Sequence, residues 1–136
     1  AADHLSENSW PARRIIILVS DGEENSSQIT LSAAAAAALK ADAVVYSVNA
    51  GDDNETDEGK SGEAVLKALS ESTGGNYFRA SIDGNIGSAF SKIRKELRSQ
   101  YALAYKPTDL LGTKFHAIRV VTGNLMVRCR RGYYAK

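Results

Sequence analysis

Ile15, Ile16, Ile17, Leu18 and Val19 form an unbroken apolar, mostly β-branched run, and Ser20, Asp21 and Gly22 end it. A continuous run of this length closed by turn residues predicts a strand over residues 13–20 that is buried on both faces. The polar turn at the carboxyl end of such a strand is where open α/β sheets place their binding sites.

The pattern then alternates. Leu31, Ala34, Ala35, Ala38 and Leu39 fall at helical spacing within an alanine-rich stretch, and Thr30 or Ser32 can cap a helix that runs through Ala41. Residues 43–48, AVVYSV, read as a second buried strand. A polar, acidic loop over 51–62 precedes a helix from Ser61 to Thr73, which packs with Val65, Leu66 and Leu69 and stops at Gly74-Gly75. Residues 76–80 form a third, shorter strand. Asp83 or Asn85 then caps a helix to about Ser99, whose apolar face is Ile86, Ala89, Phe90, Ile93 and Leu97.

Strands that alternate with helices, with no room for hairpins, predict a parallel sheet over residues 13–100 with the order β-α-β-α-β-α. After Gln100 the period becomes two. Residues 101–106 alternate and stop at Pro107, 115–122 form a strand, Gly123-Asn124 is a two-residue hairpin signal, and 125–134 return. The fold class is therefore α/β, a Rossmann-like sheet extended by a C-terminal antiparallel β-meander over 101–136. In the last strand Leu125, Val127 and Cys129 share the expected core face. Residues 1–12 carry no period and end near Trp10-Pro11, which predicts a linker or disordered N-terminal segment.

At 136 residues the chain is one domain's worth, and 43% hydrophobic with 24% charged residues is globular composition. No stretch has the run of roughly 18 apolar residues that a membrane span needs. The first residue is Ala, and the chain reads as an excised piece of a longer protein, so targeting is not legible in it. A lone Cys129 forms no internal disulfide and no cysteine-built metal cluster. Net charge is only +1 but uneven: acids crowd residues 21–63 and bases crowd 92–136. Such polarity suits two solvated faces, or one pole meeting the opposite pole of a partner chain, better than a nucleic-acid surface.

Four candidate sites follow. Asp21, at the end of a buried strand and followed by a glycine that lets the chain turn, can present its carboxylate to a hard divalent cation. Gly59-Lys60-Ser61 has the strand-to-helix context of a Walker A loop, but Asn54 stands where the first glycine belongs, and Asp52, Asp53, Glu55, Asp57 and Glu58 would repel a polyphosphate. That acidic loop does not follow the ligand order of an EF-hand. His4 and His116 stand in no Ser/His/Asp or Cys/His motif, and Tyr133 and Tyr134 in the basic tail read as part of a solvated, charge-protected edge strand.

The ordered set of segments resembles the von Willebrand factor type A (VWA) domain, and within it the bacterial VWFA-related, acidobacterial-type domain. The segments are the apolar strand ending in Asp21-Gly22, the Ala-rich helix, AVVYSV, SGEAVLKALSESTGGNYF, the IRKELRSQYALAYKP join and the closing VRCRRGYYA. The resemblance implies the C-terminal part of a Rossmann-like VWA sheet, with 13–136 a partial VWA-like domain. It implies a non-enzymatic protein-binding or adhesion module displayed outside the cytoplasm. In that family a metal-ion-dependent adhesion site is built from three loops, the first being Asp-x-Ser-x-Ser. Asp3, Asp21, Asp42, Asp52, Asp53, Asp57, Asp83 and Asp109 all fail that pattern. Only Asp21 carries over, as the remnant of the third loop, so no cofactor is expected in this chain, while Mg²⁺ or Mn²⁺ is expected in a full-length parent. The implied partner is a protein on the metal-site face, with neither nucleic acid nor membrane span. A strand whose family neighbour lies upstream also exposes a pairing edge, which predicts a homodimer through the edge of residues 13–20. The alternative readings are a Rossmann-like nucleotide-binding or hydrolytic α/β domain and a purely structural module.

Overall fold

The computed structural model describes residues 1–7, 13–22, 28–51, 57–80, 86–105 and 114–134. Its elements are helix α1 (Ala2–Glu7), strand β1 (Arg14–Ser20), helix α2 (Leu31–Lys40), strand β2 (Ala43–Asn49), helix α3 (Asp57–Thr73), strand β3 (Tyr77–Arg79), helix α4 (Ile86–Arg98), and strands β4 (Phe115–Ala117) and β5 (Gly132–Tyr134). The first three strands form a parallel sheet in the order β1-β2-β3, and β4 pairs antiparallel with β5. The molecule is thus mixed α/β.

β2 is the buried centre. Val45, Tyr46, Ser47 and Val48 are all buried, because β2 has a strand on each side and helices on each face. Tyr46 and Val48 join Ala80, Ala89 and Ile93 in the core beneath α4. On the opposite face Ser47 meets α3, where the Ser70 hydroxyl donates to the Ser47 hydroxyl at 2.8 Å. The Val45 amide, which lies before the start of β3 and so lacks a strand partner, donates to Thr73 Oγ1 at 2.9 Å. These buried polar side chains of α3 are therefore satisfied, as burial requires.

β1 corrects the sequence expectation. It is not buried on both faces: Ile17 is 40% exposed and Val19 is 47% exposed. Both stand in register with Tyr46 and Val48, on the α4 side of the sheet. Among the described residues β1 has a strand neighbour on one side only, and α4 reaches Ile15 but leaves its carboxyl half uncovered. The Ser20 carbonyl accepts from the Ala50 amide at 3.1 Å, so Ser20 points toward β2. Strand alternation then turns Arg14, Ile16 and Leu18 toward β2, and Ile15, Ile17 and Val19 toward the open edge.

Four other expectations are revised. Residues 2–7, read as linker or disorder, form α1. α3 begins at Asp57, so Gly59, Lys60, Ser61 and Gly62 lie within a helix and not on a loop. Residues 101–105 form no strand, and Tyr101 and Leu103 are exposed. The long hairpin shrinks to β4 and β5. A two-residue loop at Gly123-Asn124 would set Phe115 opposite Gly132, whereas Phe115 stands opposite Tyr134. Ring contacts account for this register: Phe115 meets Tyr134 edge-on at 5.3 Å, and His116 stacks on Tyr133 at 5.1 Å. Leu125 and Val127 are consequently exposed and Cys129 only half-buried, not the core face that alternation predicted. Thr30 does cap α2, accepting from the Ala33 amide at 3.3 Å. The proposed caps Asp83 and Asn85, and Trp10, lie outside the described residues.

The basic tail is solvent-exposed, and its arginines are also ion-paired within the chain. Arg128 pairs with Glu96 of α4 at 2.5 Å, Arg131 with Glu71 of α3 at 3.8 Å, and Arg130 with Asp42 at the start of β2. Opposite poles of the linear charge pattern thus meet inside one chain.

Candidate functional site at the carboxyl end of the parallel sheet

β1 and β2 end side by side, in Ser20 and Asn49. The chain leaves β1 through Asp21 and Gly22. The Gly22 amide donates to Ser20 Oγ at 3.0 Å, and the Ser20 hydroxyl donates to Asp21 Oδ1 at 3.4 Å. Gly22 has φ +85°, a conformation that side chains disfavour. A Cβ built there would lie 2.5 Å from the carbonyl carbon of Gly62, so the turn after β1 rests directly on the backbone of α3.

β2 leaves through Ala50 and Gly51. Asn49 is 6% exposed, and its Oδ1 accepts from the Gly51 amide at 2.8 Å. A Cβ on Gly51 would lie 3.1 Å from the Asp21 Cβ, which shows how closely the two turns approach. Asp21 itself is exposed. The face is completed by Tyr77 and Arg79 of β3 and Glu63 of α3, with Arg79 3.6 Å from Glu63. Burial raises the Tyr77 hydroxyl above its ordinary pKa of 10.0, Asn49 lowers it, Glu63 raises it further and Arg79 opposes that. The hydroxyl lies near the Asn49 and Glu63 side chains but completes a well-formed hydrogen bond with neither.

Among the described residues no three His, Cys, Asp or Glu side chains converge, and Asp21 brings a single carboxylate. Asp52, Asp53 and Glu55 lie outside the described residues. Gly59-Lys60-Ser61 is inside α3, where its amides belong to a helix and not to a phosphate-cradling loop. His116 is half-buried in β4 and stacked on Tyr133, and Cys129 is half-buried. A shallow groove of about 400 Å³ between α1 and α2 is lined by Ala2, Asp3, Ala33, Ala37 and Lys40. It lies away from this face and offers little polar chemistry. What the carboxyl-end face offers is the exposed Asp21 carboxylate on the Gly22 turn and the Arg79–Glu63 ion pair, while the Asn49 side chain and the Tyr77 hydroxyl are buried.

Sequence reasoning located Asp21 and Gly22 but missed Asn49, Gly62 and Tyr77. The run AVVYSVN carried one usable signal, a polar residue that closes an apolar strand, as Ser20 closes β1. Gly62 carried none, because its role lies wholly in what it touches. Among the described residues no helix is long and apolar enough to cross a membrane. Comparison with known proteins returned no matching family model, no matching curated protein and no matching solved structure.

Proposed function

We propose that this chain is a non-enzymatic protein-binding module of VWA type, which recognises its partner through the face that carries Asp21. The observation that supports this reading most is the exposed Asp21 on the Gly22 turn, braced on Gly62 at the carboxyl end of a parallel sheet. Such an end is where open α/β sheets bind, and no nucleophile–base pair or phosphate loop stands among its described residues. A cation at this face needs further ligands from a longer polypeptide.

The test compares Mg²⁺ titrations of the 136-residue chain and of the longer polypeptide that contains it. Binding by the longer form, lost in Asp21→Asn, supports the proposal. Equally tight binding by the 136-residue chain, or heat stabilisation of it by a nucleotide, overturns it.

A further inference from the structure

We infer that the open edge of β1 is a self-recognition surface, on which a second copy of this chain pairs antiparallel about a two-fold axis at Ile17. The inference goes beyond the binding role proposed above and does not rest on it.

The strand carries the register in its own sequence. Ile15, Ile17 and Val19 turn their amides and carbonyls to the open edge, as the Ser20–Ala50 bond requires. An antiparallel pair centred on Ile17 sets Ile17 against itself, Ile15 against Val19 of the second copy, and Arg13 against Asp21 of the second copy. All the groups so paired are outward-facing, so each N–H and C=O on the edge gains a partner. The same register places β-branched side chains opposite one another on a single face. That face is the one on which Ile17 and Val19 are 40% and 47% exposed. It also brings a guanidinium and a carboxylate together at both ends of the pair. Among the described residues Arg13 donates to the Leu97 carbonyl at 3.5 Å and to Gln100 Oε1 at 3.3 Å.

An unrelated partner strand would satisfy the backbone alone. A second copy satisfies the backbone, the apolar face and the charge ends together, which is the self-complementarity an isologous interface demands. The product is a continuous six-stranded sheet, with both copies of α4 on one face. The edge then ceases to be a template for open-ended aggregation.

The experiment uses the whole 136-residue chain. Sedimentation equilibrium is expected to give twice the 14.6 kDa chain mass. Arg13→Glu and Asp21→Arg are each expected to weaken the dimer about tenfold or more, and the double charge swap to restore it. In a Cys129→Ser background, Ile17→Cys is expected to oxidise to a covalent dimer. An antiparallel hydrogen-bonded pair sets the two α-carbons about 5.5 Å apart, within disulfide range. Ile16→Cys, which faces β2, is expected not to cross-link. A monomeric mass throughout the micromolar range overturns the inference. So does cross-linking of Ile16→Cys in preference to Ile17→Cys, or a charge swap that fails to restore association. The metal titration above reads cation binding by the longer polypeptide, whereas chain mass and Ile17→Cys cross-linking read pairing of the 136-residue chain, so either proposal can fail while the other stands.

Discussion

Gly22 and Gly62 lie backbone against backbone, with no room for a methyl group on either. A Cβ on Gly62 would fall 2.6 Å from the Gly22 carbonyl carbon and 3.0 Å from the Asp21 carbonyl oxygen. In an ordinary helix Gly→Ala stabilises by up to about 1 kcal/mol. Here Gly62→Ala is expected to destabilise by about 1–3 kcal/mol, because the atoms it meets are main chain and cannot swing aside. Gly22→Ala is expected to cost more, since it adds the strain of φ +85° to the same collision. Urea unfolding of the two variants measures both, and a stabilised Gly62→Ala would show that the turn does not rest on α3.

Ser47 and Ser70 are both fully buried, and their hydroxyls share one hydrogen bond of 2.8 Å between β2 and α3. Removing either alone strands the other away from water, at about 1–2 kcal/mol each. Removing both is expected to cost less than the sum of the singles. The coupling in a double-mutant cycle measures the bond, and simple additivity would mean that each hydroxyl is satisfied elsewhere.

Glu96 joins two parts of the chain. Its Oε1 accepts from Asn76 Nδ2 at 2.8 Å and from Arg128 at 2.5 Å. The Arg128 side chain is 46% exposed, so solvent screens the charge pairing and Glu96→Gln is expected to cost only about 0.5 kcal/mol. Glu96→Ala leaves the half-buried Asn76 amide without its acceptor and is expected to cost about 1–2 kcal/mol. Both variants are expected to speed amide exchange over residues 128–131. Equal losses for the two variants would mean that charge, not the shared acceptor, holds the tail.

Alkaline pH is expected to weaken the fold through Tyr46. Burial raises its hydroxyl above the ordinary value of 10.0 and the Glu96 carboxylate raises it further, while the bond donated by Gln100 and the charge of Arg128 lower it. A tyrosine that ionises less readily when folded favours the folded state fully below its unfolded pKa. That contribution is lost as the pH rises above about 10 and on through the folded value. Tyr77 is shifted the same way, for the same leading reason. Stability is therefore expected to fall above about pH 10, and Tyr46→Phe to make the fall shallower without abolishing it. Urea midpoints against pH, beside phenolate absorbance, check the sign; a wild-type curve flat across that range would refute it.

Much of the fold was legible along the chain, because it rests on local periodicity. The alternation of AVVYSV with helical spacing at Leu31, Ala34, Ala38 and at Ala89, Ile93, Leu97 predicted the parallel β-α-β-α-β-α order, and Thr30 announced its own cap. These signals come from neighbours within a turn or two, and tertiary packing had no reason to override them. The turn at Asp21-Gly22 was legible for the same reason. What local pattern could not decide was which strand lies at the centre. Ile15–Val19 and Val44–Val48 read alike, yet among the described residues only the latter has strand neighbours on both sides, and burial belongs to the assembly and not to the string. The same holds for the tail. Alternation at Leu125, Val127 and Cys129 implied a buried face, but ring contacts set the pairing of β4 with β5, and acids up to 88 positions away drew in the arginines. The sequence by itself determined the element types, their order and the carboxylate at the end of the first strand. Only the tertiary structure decided which edge stays open, which glycine braces that carboxylate, and which charges meet, because each of these depends on distances between residues far apart in the chain.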